Sequence, residues 1–159
     1  MIGAVTLPHI LSNERLERLL CETDFHELLR ACRELSSRVK TGDVQPGTYW
    51  VRMNRQPRLQ SLPSIILEID PTYVRIDQEG FVQLEMSGIP FYGLVAYPTA
   101  TREQYSFKGD VELIPGLWYY DEDYNDDYPK HREKIDALMR KRKMYNQGRT
   151  RGGNGVGAG

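Results

Sequence analysis

The sequence predicts an α+β fold, with a twisted antiparallel sheet of five to six strands, an N-terminal helix pair, a C-terminal helix, and a flexible basic, glycine-rich tail. Three observations carry this. Apolar residues recur at helical spacing from Ser12 to Lys40 and again from Pro129 to Tyr145. Between Thr48 and Leu113 the period changes to two, and the strand-like stretches there follow one another through short, turn-rich connections. Parallel βαβ units need crossovers of roughly ten or more residues, so an antiparallel meander is expected. A chain of 159 residues is long enough to bury one core without disulfides or metal, so residues 1–147 read as a single α+β domain and 148–159 as the tail.

From Ser12 to Lys40 the apolar positions fall on two stripes. At about 100° per residue, Leu16, Leu19 and Leu20 centre on one direction, while Phe25, Leu28, Leu29, Cys32, Leu35 and Val39 centre roughly 150° away. One straight helix would bury neither set. The break falls at Cys21 to Asp24, where Asp24 and Glu27 have the spacing of a capping box. Two helices are therefore expected, over 13–21 and 25–40, the second stopped at Gly42. After the turn at Gln45, Pro46 and Gly47, Thr48 to Asn54 reads as a strand and Ser64 to Ile69 (SIILEI) as a buried strand. Thr72 to Asp77 alternates, with Thr72, Val74 and Ile76 on one face, and Phe81 to Met86 answers with Val82, Leu84 and Met86. The turn at Gln78, Glu79 and Gly80 joins these two as a hairpin. Phe91 to Tyr97 and Tyr105 to Leu113 supply further strands, Gly109 marking a turn or bulge in the second.

The last helix begins near Pro129, a residue suited to a first helical turn, behind Asp126 and Asp127, whose charge the helix dipole favours. Its apolar side is Ile135, Leu138, Met139 and Tyr145, and Arg140 to Lys143 load its C-terminal turns with positive charge. From Gly148 onward, GRTRGGNGVGAG lacks the apolar surface that would offset ordering entropy.

Lys and Arg number 21 against 22 Asp and Glu, but the charge is divided. Residues 130–159 hold nine basic groups and two acids, a net of +7, which leaves −8 on the other 129 residues. Such a field attracts counter-charged surfaces within a Debye length of about 8 to 10 Å. The arm, with Arg140, Lys141, Arg142, Lys143, Arg149 and Arg151, therefore requires an anion, either nucleic acid or the body of another subunit. There are two cysteines, no run approaching the roughly 18 apolar residues of a membrane span, and no basic region leading an apolar one at the N-terminus. A reducing compartment, the cytoplasm or a virion, is the expectation, with no membrane partner.

Motifs for catalysis or metal binding are weak. Cys21, Cys32, His9, His26 and His131 lack zinc-ligand spacing, and Cys32 lies on the apolar stripe of the second helix as a small buried hydrophobe. Asp121, Asp123 and Asn125 match positions 1, 3 and 5 of a calcium loop, but position 6 is Asp126 instead of Gly and position 12 is Arg132 instead of Glu. No G-x-S-x-G motif occurs, the three histidines are far apart in sequence, and the glycines at 152–159 neither follow a strand nor open a helix, as phosphate cradling requires. No metal, cofactor or catalytic residue is expected.

Trp118, Tyr119, Tyr120, Tyr124 and Tyr128 crowd into eleven residues beside the acids. Aromatics with polar tips are the residues that dominate interfaces, although such residues also close cores. The combined expectation is a non-enzymatic structural or assembly subunit of a larger complex, for example a virus or phage particle. It would dock on other protein subunits through the basic arm, with Trp118, Tyr119, Tyr120 and Tyr124 as anchors. The alternatives are a nucleic-acid-associated protein whose arm contacts phosphate, and a small enzyme or inhibitor with a site around the sheet and His131.

Overall fold

The computed structural model describes residues 14–86, 91–98, 111–121 and 128–153, with the backbone alone for 128–131 and 145–153. Their arrangement is α+β: four helices and one six-stranded antiparallel sheet among the described residues. The chain divides into two units, Asp24–Asn125 and the combination of Met1–Thr23 with Asp126–Gly159.

In the first of these, helix α2 (Phe25–Lys40) starts where the capping box placed it: Asp24 is the N-cap and its Oδ1 accepts the Glu27 N–H at 3.1 Å. Its stripe of Phe25, Leu28, Leu29, Cys32 and Leu35 is buried. The strands are β1 (Gly47–Trp50), β2 (Tyr73–Ile76), β3 (Val82–Met86), β4 (Tyr92–Ala96), β5 (Val111–Ile114) and β6 (Leu117–Asp121), in the spatial order β1-β2-β3-β4-β6-β5. Every pairing is antiparallel. The β2–β3 hairpin matches the sequence reading, with Val74 opposite Leu84 and Ile76 opposite Val82. Val74, Ile76, Val82, Leu84, Met86, Leu94, Ala96, Leu117 and Tyr119 make up the buried face, against which α2 packs.

Three elements of this unit differ from the sequence reading. Ser64–Ile69 forms a short helix, α3, and not a strand. Its six apolar-rich residues carry no period to separate the two states, and the decision falls to the flanks. Pro63 stands at the N-cap, Asp70 closes the last turn in the left-handed region at φ 57°, and Pro71 follows. Ile65 and Ile66 are buried while Leu67 is 53% exposed, a helical distribution. Strand β1 stops at Trp50 instead of Asn54, because the Val51 and Arg52 N–H groups both turn onto the Thr72 carbonyl, at 3.0 and 3.4 Å, and the chain leaves the sheet. The third difference is β6, a strand where the sequence pattern suggested an interface segment; it turns back from β5 at Pro115 and Gly116, whose φ of +93° suits only glycine. Residues 105–110 of the strand expected over Tyr105 to Leu113, with Gly109, lie outside the described residues.

The other unit pairs helix α1 (residues 14–22) with helix α4 (Tyr128–Gly153). Leu16, Leu19, Leu20 and Ile135 are buried. The Cys21 S–H donates to the Leu138 carbonyl at 3.4 Å, and Arg142 donates to the Leu20 carbonyl at 3.3 Å. The change of stripe direction at Cys21 to Asp24 thus marks a border between units as well as a break between helices. Helix α4 continues past Gly148 to Gly153. An isolated glycine costs about 1 kcal/mol against alanine, which does not stop a helix already adding one hydrogen bond per residue. The remainder of the expected tail lies outside the described residues.

Candidate functional site

The basic run Arg140, Lys141, Arg142 and Lys143 spans about 300° of helix circumference, so its members cannot share one surface. Lys141 forms an ion pair with Glu17 of α1, and this hydrogen bond and its charge raise the lysine pKa above its ordinary value. Arg142 is half-buried and donates to Leu20 near the end of α1. Both fasten the helix pair. Arg140 and Lys143, three residues apart, are exposed on α4, and Met144 beside them is 73% exposed. Arg149 and Arg151 lie in the last turns of α4.

The aromatic segment is mostly interior. Trp118 is 5% exposed and Tyr119 1%. Trp118 stacks on Tyr97 with centroids 6.0 Å apart, and the Tyr119 hydroxyl donates to Asp121 Oδ2 at 2.8 Å. Burial this complete makes Trp118 and Tyr119 core residues and leaves them little area for a partner. Tyr124 lies outside the described residues. Tyr120 is half-buried and belongs to a polar cluster with Glu85 and Gln83. Its hydroxyl donates to Glu85 Oε2, and Gln83 Nε2 donates to Tyr120 Oη at 2.8 Å and to Glu85 Oε2 at 3.1 Å. Burial, and then the Glu85 carboxylate, push the Tyr120 phenol pKa well above its ordinary value.

The two thiols are buried and free. Desolvation pushes the Cys32 pKa up to about 12, and desolvation together with Glu17 raises that of Cys21. Among the described residues no three His, Cys, Asp or Glu side chains gather as a metal site, and no helix is long and apolar enough to cross a membrane.

A second basic region escaped the sequence reading. Residues 38–58 carry Arg38, Lys40, Arg52, Arg55 and Arg58 against Asp43 alone, a local net of +4 inside a unit whose total is negative. Arg38 and Arg58 line a shallow groove of about 410 Å³ beside Tyr49. The Arg55 guanidinium sits 5.2 Å from the Trp50 ring centroid, and Trp50 meets Tyr73 edge to face at 5.6 Å. Arg52 Nε lies 3.1 Å from Asp70. The signal was present as two adjacent aromatics, Tyr49 and Trp50, followed by arginines at every third position, Arg52, Arg55 and Arg58, but averaging over the whole body removed it.

Comparison of the chain with protein-family models, with curated proteins and with solved structures finds no match.

Proposed function

We propose that this chain is a non-enzymatic assembly subunit, such as a structural component of a virus or phage particle, that docks on its neighbours through α4. The observation that carries this reading is the charge division: a net +7 on residues 130–159 against −8 elsewhere, with Arg140 and Lys143 exposed. The arm of one copy lies on the acidic surface of the next, and long-range attraction steers the encounter. Apolar anchoring falls to Met144, since Trp118 and Tyr119 are buried. Such a subunit works in the cytoplasm or within the particle.

Sedimentation velocity of the full chain and of the double variant Arg140→Glu, Lys143→Glu, at low and high salt, tests the reading. These two positions are chosen because Lys141 and Arg142 hold α1. The wild type is expected to self-associate at low salt and dissociate as salt rises, and the variant to remain a monomer with an unchanged circular dichroism spectrum. Equal sedimentation of both proteins in both buffers would remove the proposal. A high 260 to 280 nm absorbance ratio that the variant loses would instead assign the arm to nucleic acid.

A further inference from the structure

We propose that the outer face of β1 and β2 binds single-stranded nucleic acid, RNA or DNA, independently of the α4 arm. Side chains alternate along a strand, so with Val74 and Ile76 buried in the core, Tyr73 and Arg75 point to the opposite face of the sheet. The register places Thr48 opposite Arg75 and Trp50 opposite Tyr73, which adds Thr48 and Trp50 to that face. Trp50 and Tyr73 are only half-buried, and Arg75 is exposed with no side-chain partner among the described residues. The Arg55 guanidinium rests over the indole, 5.2 Å from its centroid.

This combination has a specific chemical use. The half-buried indole and phenol stand edge to face, so they make a stepped platform and not a flat one: each ring offers a face to one unpaired base irrespective of sequence, and the arginines at its border, Arg55 by the indole and Arg75 on β2, take the phosphates. A duplex keeps its bases stacked on each other and cannot use the platform. The cations near this face are Arg55 and Arg75 together with Arg52, which pairs with Asp70 at 3.1 Å, whereas Arg38 and Lys40 belong to α2 on the core side of the sheet and Arg38 pairs with Glu34 at 2.7 Å. The next acid across the sheet is Glu85, opposite Tyr73 on β3. It is 8% exposed and its carboxylate receives the Tyr120 hydroxyl and the Gln83 amide, which shields the bound strand from it. An Arg55–Trp50 contact that merely fastened the 51–58 loop would not account for the exposure of Arg75.

Fluorescence anisotropy of labelled twelve-nucleotide oligo-dT, oligo-U and a duplex of equal length, titrated with the full-length chain, tests the assignment. Both single strands are expected to bind and quench tryptophan fluorescence, with the duplex weaker by at least about tenfold and affinity falling steeply with salt. The preference between oligo-U and oligo-dT tells whether RNA or DNA is the natural ligand. Arg75→Glu and Arg55→Glu, both at surface positions, are expected to weaken binding about tenfold or more with unchanged circular dichroism. Trp50→Phe should keep most of the affinity and lose the quenching. Absence of binding to either strand at low salt overturns the proposal, as does equal binding of the duplex. Binding that survives Arg75→Glu and vanishes in Arg140→Glu, Lys143→Glu overturns it too, because the arm would then be the contact. The assembly reading fails separately, on sedimentation of the protein without oligonucleotide.

Discussion

Replacing Gly93 by alanine should damage the sheet. Gly93 is the second residue of β4, paired with Glu85 on one side and Tyr120 on the other, and the Tyr120 ring lies over its backbone. A Cβ at this position would collide with the Leu84 carbonyl oxygen and stand 2.5 Å from Tyr120 Oη and 2.8 Å from its Cζ. The carbonyl is backbone and cannot rotate aside, so the β3–β4 ladder must move, an overpacking cost of about 1–3 kcal/mol. Displacing the phenol also takes a donor from the Glu85 carboxylate, 8% exposed, which adds about 1–3 kcal/mol. The expected total is about 2–6 kcal/mol, a large part of the roughly 5–15 kcal/mol that holds a typical domain. Urea denaturation of the wild type, Gly93→Ala and Tyr120→Phe, followed by circular dichroism, measures it. Tyr120→Phe should show only the donor share. A Gly93→Ala midpoint within the equivalent of about 0.5 kcal/mol of wild type would refute the close packing of ring on backbone.

Leu28→Ala and Leu35→Ala, at two fully buried positions of α2, are each expected to lower stability by about 2–5 kcal/mol in the same assay, and losses under about half a kcal/mol at both would place the buried face elsewhere. Tyr120 also predicts an alkaline weakness. Below its ordinary value of 10.0 both states keep the phenol proton; above it the unfolded chain releases the proton while the folded one retains it, so stability falls with rising pH. The slope from this group is at most about 1.4 kcal/mol per pH unit, and Tyr120→Phe should remove it from a series of urea midpoints between about pH 9 and pH 11. An unchanged slope would show that the phenol is free to ionise. Cys32, its pKa pushed up to about 12 by burial, should resist a thiol reagent near neutral pH in a Cys21→Ser background and react at once in urea, whereas fast labelling of the folded protein would contradict that burial.

Elements whose residues each see one side of the molecule were legible in the sequence. Val82, Leu84 and Met86 alternate because one face of β3 meets the core, and Asp24 with Glu27 announces a helix start through its own local hydrogen bond. Ser64–Ile69 was not legible from its pattern, since a run of three apolar residues, Ile65 to Leu67, fits a strand or a helix; the prolines at 63 and 71 held the information. In β6 the alternation exists, Leu117, Tyr119 and Asp121 against Trp118 and Tyr120, but both sets are large or polar, which concealed it. The arm was found by counting charge. That count could not separate Lys141 and Arg142, which hold α1, from Arg140 and Lys143, because the distinction depends on helix phase and on Glu17 and Leu20 more than a hundred positions away.

The two margins of the sheet limit how copies of this chain can meet. At the β1 margin the Trp50 N–H already points outward and donates to the Pro57 carbonyl at 2.9 Å, and proline returns no N–H, so the pairing cannot propagate there. At the other margin β5 loses register between Glu112 and Ile114, an irregularity that bends a strand away from a would-be neighbour. Neither border offers a straight row of free amides, so growth by adding strands edge to edge is discouraged. Crowding this protein to high local concentration therefore favours contacts through charged side chains, which salt can reverse, over backbone ladders, which it cannot.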